Sequence, residues 1–339
     1  MTFAFLSVLC ITIANSFFSI ENINHIQLDD EEYLVVADYA DNNRPIKFFN
    51  LPSMDLESYL SSGEGPGEVS ERGFKSFSTI ADSLLLVWDA ENMRAMIYDT
   101  DFNYMSEVAG LEDYRLYYYA AVTDSYAIGI SRIAGRDFVE IFTLNHTSNG
   151  RFETYREKVV STPRELINAN QNMLLRQGSL SCDENNCVIG FTYSSVIMFF
   201  SGNQLLWVSS EPEAYYLPDY DGIETNGGQR VYRAPDLAEH PYGIIDVSVN
   251  DEYVFVLYSG KKGPDPSGIS GFISRATFDP DEILHSDRLF IYDHEGNFIK
   301  EVRLPMEAKT LSVSRNTLKF GSELNQEPVI NQFELDSIY

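Results

Sequence analysis

Few side chains of this chain are spaced for chemistry, and those that are suit binding better than catalysis. The five histidines, His25, His146, His240, His285 and His294, include no pair at metal-ligand spacing. His240 is the informative one. Ala238-Glu239-His240-Pro241-Tyr242-Gly243 runs straight into an apolar segment, so His240 and Tyr242 stand on a loop that feeds a strand. Loops on a rigid scaffold carry ligands more often than the strands they connect. Arg72 and Arg176 are scarce cations in an acidic chain, fit to meet a ligand carboxylate or to close a structural ion pair. Tyr215 and Tyr216 open an aromatic loop that reaches Tyr220, and a second cluster spans Tyr114 to Tyr119. Tyrosine offers rigid amphipathic contact to a sugar or peptide, and serves equally as strand core. Cys182 and Cys187 flank the turn-forming Asp183-Glu184-Asn185-Asn186 and suit a disulfide across a hairpin. Two thiols in C-x₄-C without a second pair or a neighbouring His make a poor zinc site. The Asp-rich turns lack the Gly at position six and the Glu at position twelve of a calcium loop. No G-x-S-x-G elbow, cofactor fingerprint or Ser-His-acid set occurs, so no catalytic residue, metal or cofactor is assigned.

What must position these residues is a pattern that returns along the whole chain. An apolar, β-branched or aromatic run leads through a polar turn to a second such run. Tyr33–Asp38 leads to Ile46–Phe49, Leu84–Asp89 to Ala95–Asp99, and Tyr126–Ile130 to Phe138–Leu144. Cys187–Tyr193 leads to Val196–Phe200, Tyr253–Tyr258 to Leu289–Asp293, and Thr317–Phe320 to Val329–Leu335. Six hairpin units at roughly 50 residues each predict an all-β, six-bladed β-propeller with four-stranded antiparallel blades. Its ring is expected to close by pairing of the terminal strands, with Ile23–Leu28 lending a strand to the blade built after Ala308, which removes sheet edges. Three insertions interrupt the spacing: Thr162–Gly178, Glu211–Pro241 and Gly260–Ser286, the last with a helical turn predicted near Asp279–Leu284.

Composition narrows the partners. The 339 residues carry 51 acidic and 24 basic side chains, a formal charge of −27 that repels phosphate backbones and excludes nucleic acid. Thr2–Ile13 is almost wholly apolar and Ala14-Asn15-Ser16 offers small residues for cleavage, so residues 1–16 read as a signal peptide and 17–339 as the propeller. The positive n-region of such leaders is absent. Cys10 follows Ser7-Val8-Leu9, and the large Leu9 departs from a lipobox, so cleavage is expected in preference to lipid anchoring at Cys10. No later segment is long and apolar enough to span a bilayer. An exported chain would keep the even pair Cys182 and Cys187, in keeping with an oxidising compartment.

Three segments resemble one family. Gly63-Glu64-Gly65-Pro66-Gly67-Glu68 is similar to the G-x-GPGE loop of the TolB-like six-bladed β-propellers secreted by Gram-negative bacteria. Asp246–Lys261, DVSVNDEYVFVLYSGK, resembles that family's strand ending in LYSG and a basic residue. Leu289–Leu304, LFIYDHEGNFIKEVRL, matches its strand, D-x-x-G-N turn and return strand. The resemblance touches the first, second and fifth units. In the loop, Gly63, Gly65 and Gly67 permit positive φ, Pro66 fixes one turn position, and Glu68 is placed to accept backbone N–H groups, which makes the loop a blade connector.

The reading is therefore a non-catalytic, monomeric propeller in the periplasm or at the cell surface, recognising an envelope protein, peptide or glycan. Its ligand is expected at the channel mouth near Arg72, Arg176, Tyr215, Tyr216, His240 and Tyr242, because loops of all blades converge there. The alternative is a calcium-dependent propeller hydrolase or lactonase with its ion held in the central channel by ligands from separate blades.

Overall fold

The computed structural model describes residues 19–335 except 52, 74, 134–136, 149, 165, 167–172, 184, 218–222, 225–229, 232–238, 264–282, 316 and 325–326. The expected leader, Cys10, the Pro218–Tyr220 end of the aromatic loop and most of the helical turn near Asp279–Leu284 lie outside the described residues.

Six antiparallel sheets follow one another along the chain. Blade 1 holds β1 (Asn22–Leu28), β2 (Glu31–Ala37), β3 (Ile46–Asn50) and β4 (Leu56–Leu60). Blade 2 holds β5 (Lys75–Ile80), β6 (Leu84–Asp89), β7 (Arg94–Tyr98) and β8 (Tyr104–Glu107). Blade 3 holds β9 (Leu116–Thr123), β10 (Tyr126–Ser131), β11 (Val139–His146) and β12 (Phe152–Val160). Blade 4 holds β13 (Gly178–Asp183), β14 (Asn186–Phe191), β15 (Ile197–Ser201) and β16 (Gln204–Ser209), entered through a short 3₁₀ helix, Met173–Arg176. A two-stranded ribbon, β17 (Ile223–Glu224) and β18 (Arg230–Val231), sits in the next insertion. Blade 5 holds β19 (Ile244–Val249), β20 (Val254–Tyr258), β21 (Ser286–Tyr292) and β22 (Phe298–Ala308); blade 6 holds β23 (Thr310–Val313), β24 (Thr317–Leu324) and β25 (Glu327–Glu334). Among the described residues no helix is long and apolar enough to cross a membrane.

The strand pattern follows from blade stacking. Along β6, Leu85 and Val87 face blade 1, while Leu86 and Trp88 face blade 3. With two apolar faces to fill, the strand reads as a continuous hydrophobic run. Outermost strands have one covered face at most, and β12 accordingly buries Phe152 and Thr154 and exposes Tyr155, Arg156 and Glu157. The inner turns use residues that tolerate the left-handed region: Asp29 and Asp82 have φ of 51° and 54°.

Six apolar clusters, one at each blade boundary, complete the ring. One strand differs from the sequence expectation. Ile23–Leu28 is not lent to the last blade; it pairs with Glu31–Val36 as the innermost strand of blade 1. The last described sheet has three strands, and the ends meet through side chains. Ile20, Ile23, Leu34, Val36 and Phe49 pack with Ile330, the Ile23 N–H donates to Thr310 Oγ1 at 3.1 Å, and Lys309 pairs with Glu21 at 2.6 Å. A short local turn makes β1–β2 pairing entropically cheap, whereas a partner about 300 residues away must first close the whole chain.

Cys182 and Cys187 face each other in the β13–β14 ladder and form the disulfide, Cα atoms 4.1 Å apart. Such a bond fits an oxidising compartment.

Candidate functional site

The innermost strand of every blade leaves one edge without a ladder partner, and unpaired backbone groups there must be satisfied some other way. Side chains of the neighbouring blade do so. Ser76 Oγ donates to Tyr119 O at 2.8 Å, and Ser78 Oγ accepts from Ala121 N at 2.9 Å. Ser181 Oγ accepts from Val249 N at 3.3 Å and Ser248 Oγ from Val313 N at 3.0 Å. Asp246 is the centre of this belt. Its carboxylate accepts Ser179 Oγ at 2.5 Å, Thr310 Oγ1 at 2.6 Å, and the N–H groups of Val247 and Leu311 at 2.9 Å each. Burial pushes the Asp246 carboxyl above the usual range, against the downward pull of those four hydrogen bonds.

The belt separates two mouths of a central channel. Where the inner strands end, a polar cavity of about 210 Å³ is rimmed by Asp82, Asp124, Asp183 and Asp251, with His25 and Arg315 completing the circle. Where the inner strands begin, a larger cavity of about 430 Å³ draws its wall from all six blades: Asn22, Lys75, Tyr118, Ser179, Asp246 and Lys309 represent them in order. Tyr39, Tyr193 and Tyr242 add aromatic walls, and Gln177 and Thr192 add polar ones.

Each wall residue is held by its surroundings. Tyr39 OH donates to Gly73 O at 2.7 Å, Tyr118 OH donates to Gly178 O, and Tyr242 OH donates to Tyr193 OH at 3.4 Å. Burial pushes the Tyr39, Tyr118 and Tyr242 phenols well up, so they remain protonated donors. Lys75 opens β5 and is 5% exposed. Its Nζ donates to Arg72 O at 2.8 Å and Ser70 Oγ at 3.2 Å, and lies 4.6 Å from the Tyr39 ring centre. Burial lowers its pKa to about 8, with Asp89 and Glu91 pulling the other way through space. Lys309, by contrast, is neutralised by Glu21.

Of the residues singled out from sequence, Tyr242 reaches this cavity. Half-buried His240 precedes it on the same loop without joining the wall. Arg72 contributes its carbonyl, which holds Lys75, while its side chain is exposed. Arg176 is fully buried; Nη1 donates to Ile133 O at 2.6 Å and Ser131 O at 3.1 Å, and the guanidinium covers Phe138 at 5.1 Å. It clamps blade 4 to blade 3. Tyr215 is 47% exposed, and Tyr216 accepts a hydrogen bond from Tyr258 OH at 3.5 Å, beside the blade 4–blade 5 boundary.

The Gly63–Glu68 loop is tied to blade 2. Glu68 Oε2 accepts from Gly65 N at 2.8 Å, and Gly67 has φ of 73° with Tyr104 filling the place of any Cβ. Arg94 donates to Glu68 O at 2.9 Å, Glu64 O at 3.0 Å and Gly65 O at 3.2 Å. Among the described residues no three His, Cys, Asp or Glu side chains are grouped to hold a metal.

Tyr118, from the Tyr114–Tyr119 cluster, also lines the cavity, whereas sequence reasoning passed over Lys75, Tyr39, Tyr193 and Asp246. The available signal was polar residues inside otherwise apolar inner strands, notably Lys75-Ser76-Phe77-Ser78 and Ile244-Ile245-Asp246-Val247-Ser248.

No family model and no curated protein matches the chain. Among solved structures, it resembles a member of the DUF4221 family from Bacteroides vulgatus, with TM-score 0.54 and 10% identity over 97% of this chain and 98% of that one. The β-propeller domain of Cps50 (Swd1) from Myceliophteria thermophila gives TM-score 0.50 and 9% identity over 96% and 99%. At such identities the likeness concerns the fold, and the class it defines is the six-bladed β-propeller.

Proposed function

We propose that this protein is an extracytoplasmic, non-catalytic binding propeller, and that the cavity at the start of the inner strands receives part of an envelope protein, peptide or glycan. The observation that carries the reading is a tyrosine-lined recess of about 430 Å³ to which all six blades contribute. Concave sites of that size with a few fixed polar groups are where propellers and other closed sheets take ligands. Export is supported by the apolar leader, the disulfide and the resemblance of the GPGE and LYSG segments to the secreted TolB-like propellers.

The test uses a plug. Thr192 lines the recess, is half-buried, and has no part in the belt around Asp246. Thr192→Trp should fill the recess while leaving the circular-dichroism spectrum and urea midpoint near those of the parent chain. Arrays of glycans and peptides probed with both proteins should then show ligands retained by the parent and lost by the variant. Equal retention by both would place the ligand elsewhere on the molecule.

A further inference from the structure

The recess contains a cation without a contacting carboxylate, in a molecule whose formal charge is −27. The charges around it are Lys309, paired with Glu21 at 2.6 Å, Asp246, satisfied by four donors, and Lys75, on which Asp89 and Glu91 act through space, Asp89 accepting Ser70 Oγ at 2.6 Å. Among the described residues, Lys75 Nζ has two neutral oxygen acceptors and one aromatic neighbour, and no carboxylate in contact. A buried ammonium held in this way retains one N–H donor and meets carboxylates only through space, the arrangement that an entering anion completes by direct contact.

The remaining wall decides what carries the anion. An extended peptide gains its affinity by adding a strand to an exposed sheet edge. Here Ser76, Ser179, Asp246 and Thr310 already occupy inner-edge backbone or belt positions, so the channel offers a peptide little to pair with. A sugar needs aromatic faces for its C–H surfaces and fixed amides and hydroxyls for its alcohols. Tyr39, Tyr193 and Tyr242 supply the first, and Asn22, Gln177 and Thr192 the second. The volume of about 430 Å³ lies toward the small end of the roughly 300–1,000 Å³ range of small-molecule sites, which suits one or two sugar units.

We infer that the recess is a subsite for an acidic sugar of a glycan, with Lys75 as the receptor of its carboxylate. This rests on the binding reading above and narrows it to a uronic acid. The lowered pKa of Lys75 is consistent with the geometry, since a lysine about to receive a carboxylate lacks its counter-ion beforehand.

The experiment is calorimetric titration of the purified full chain with digalacturonic acid and with neutral digalactose, at pH 7 and pH 8.5. Digalacturonate should bind about 10- to 100-fold more tightly than digalactose at pH 7, the usual worth of a hydrogen bond to a charged group. At pH 8.5 its binding should take up about three-quarters of a proton per site, read from buffers of different ionisation enthalpy, while the neutral sugar takes up none. Lys75→Met and Lys75→Gln should each abolish the preference and the proton uptake and still bind the neutral sugar. Equal affinity for the two sugars, or a preference that survives both substitutions, overturns the assignment of Lys75. Binding of neither sugar overturns the acidic-glycan subsite, and the binding reading itself stands or falls separately on the Thr192→Trp arrays.

Discussion

Lys75→Met should abolish a rise in stability that the ligand-free parent shows between pH 7 and pH 9.5. The ordinary lysine pKa of 10.5 falls to about 8 in the fold, chiefly by burial. At 1.36 kcal/mol per pKa unit, that depression amounts to about 3 kcal/mol of unfavourable charge burial at pH 7. Methionine removes that penalty and its pH dependence, but forfeits two hydrogen bonds from a charged donor, to Ser70 and Arg72, worth about 1.5 kcal/mol each. At pH 7 the two effects roughly offset, so the two chains should lie within about 1–2 kcal/mol of each other. Below pH 8 the lysine is charged in both states and the penalty is complete. Between pH 8 and 10.5 the folded state sheds its proton while the unfolded state keeps it, so parent stability rises with pH and the penalty fades. By pH 9.5 the parent should have gained about 2 kcal/mol relative to the variant. Paired urea titrations at pH 7 and pH 9.5 measure this directly. A stability difference between the two chains that does not change with pH would refute the reasoning that Lys75 is a desolvated cation.

Two further substitutions probe the scaffold. Asp246→Ala strips the acceptor from two buried N–H groups and two hydroxyls, and should lower stability by about 3 kcal/mol or more in urea titration, while Asp246→Asn, keeping one acceptor oxygen, should lose less. Replacing Cys182 and Cys187 together by Ser opens a ring with sequence separation 5 and should lower stability by about 2 kcal/mol by the chain-entropy relation; the parent chain treated with reductant should match the variant, and an unchanged urea midpoint would contradict the bond.

The hairpins were legible because blade stacking writes itself into local sequence. Leu84–Asp89 must be apolar at nearly every position to face two neighbours, and its turn must admit Ala95–Tyr98 beside it. Strand partners across long separations were not legible in the same way. Ile23–Leu28 announces a strand, but nothing in that segment tells whether its partner is Glu31–Ala37 or a stretch near the other end of the chain. Turn length decided it. Tyr242 could be placed at the channel mouth because its loop immediately precedes an innermost strand. Arg176 has the same chemistry as a ligand clamp, and only the position of Ser131 and Ile133 carbonyls one blade away turns it into a structural one.

The charged parts of the site that sequence concealed share one property: each is a single residue on a different blade. Lys75, Asp246 and Lys309 lie on the inner strands of blades 2 and 5 and just before that of blade 6. No spacing rule within the chain can link them, because the ring, and not the local backbone, brings them together. Their chemistry is nonetheless visible as a departure from pattern. A strand buried between two neighbours has no packing reason to include Lys or Asp, and each such charge adds desolvation that the fold must offset. Asp246 offsets it internally, with four donors drawn from its own blade and the two beside it, and so is explained by structure alone. Lys75 touches two neutral oxygens and a ring, with Asp89 and Glu91 acting only through space, which leaves its third N–H without an acceptor among the described residues. That difference between the two buried charges is why the recess, and within it Lys75, is where a ligand carboxylate belongs.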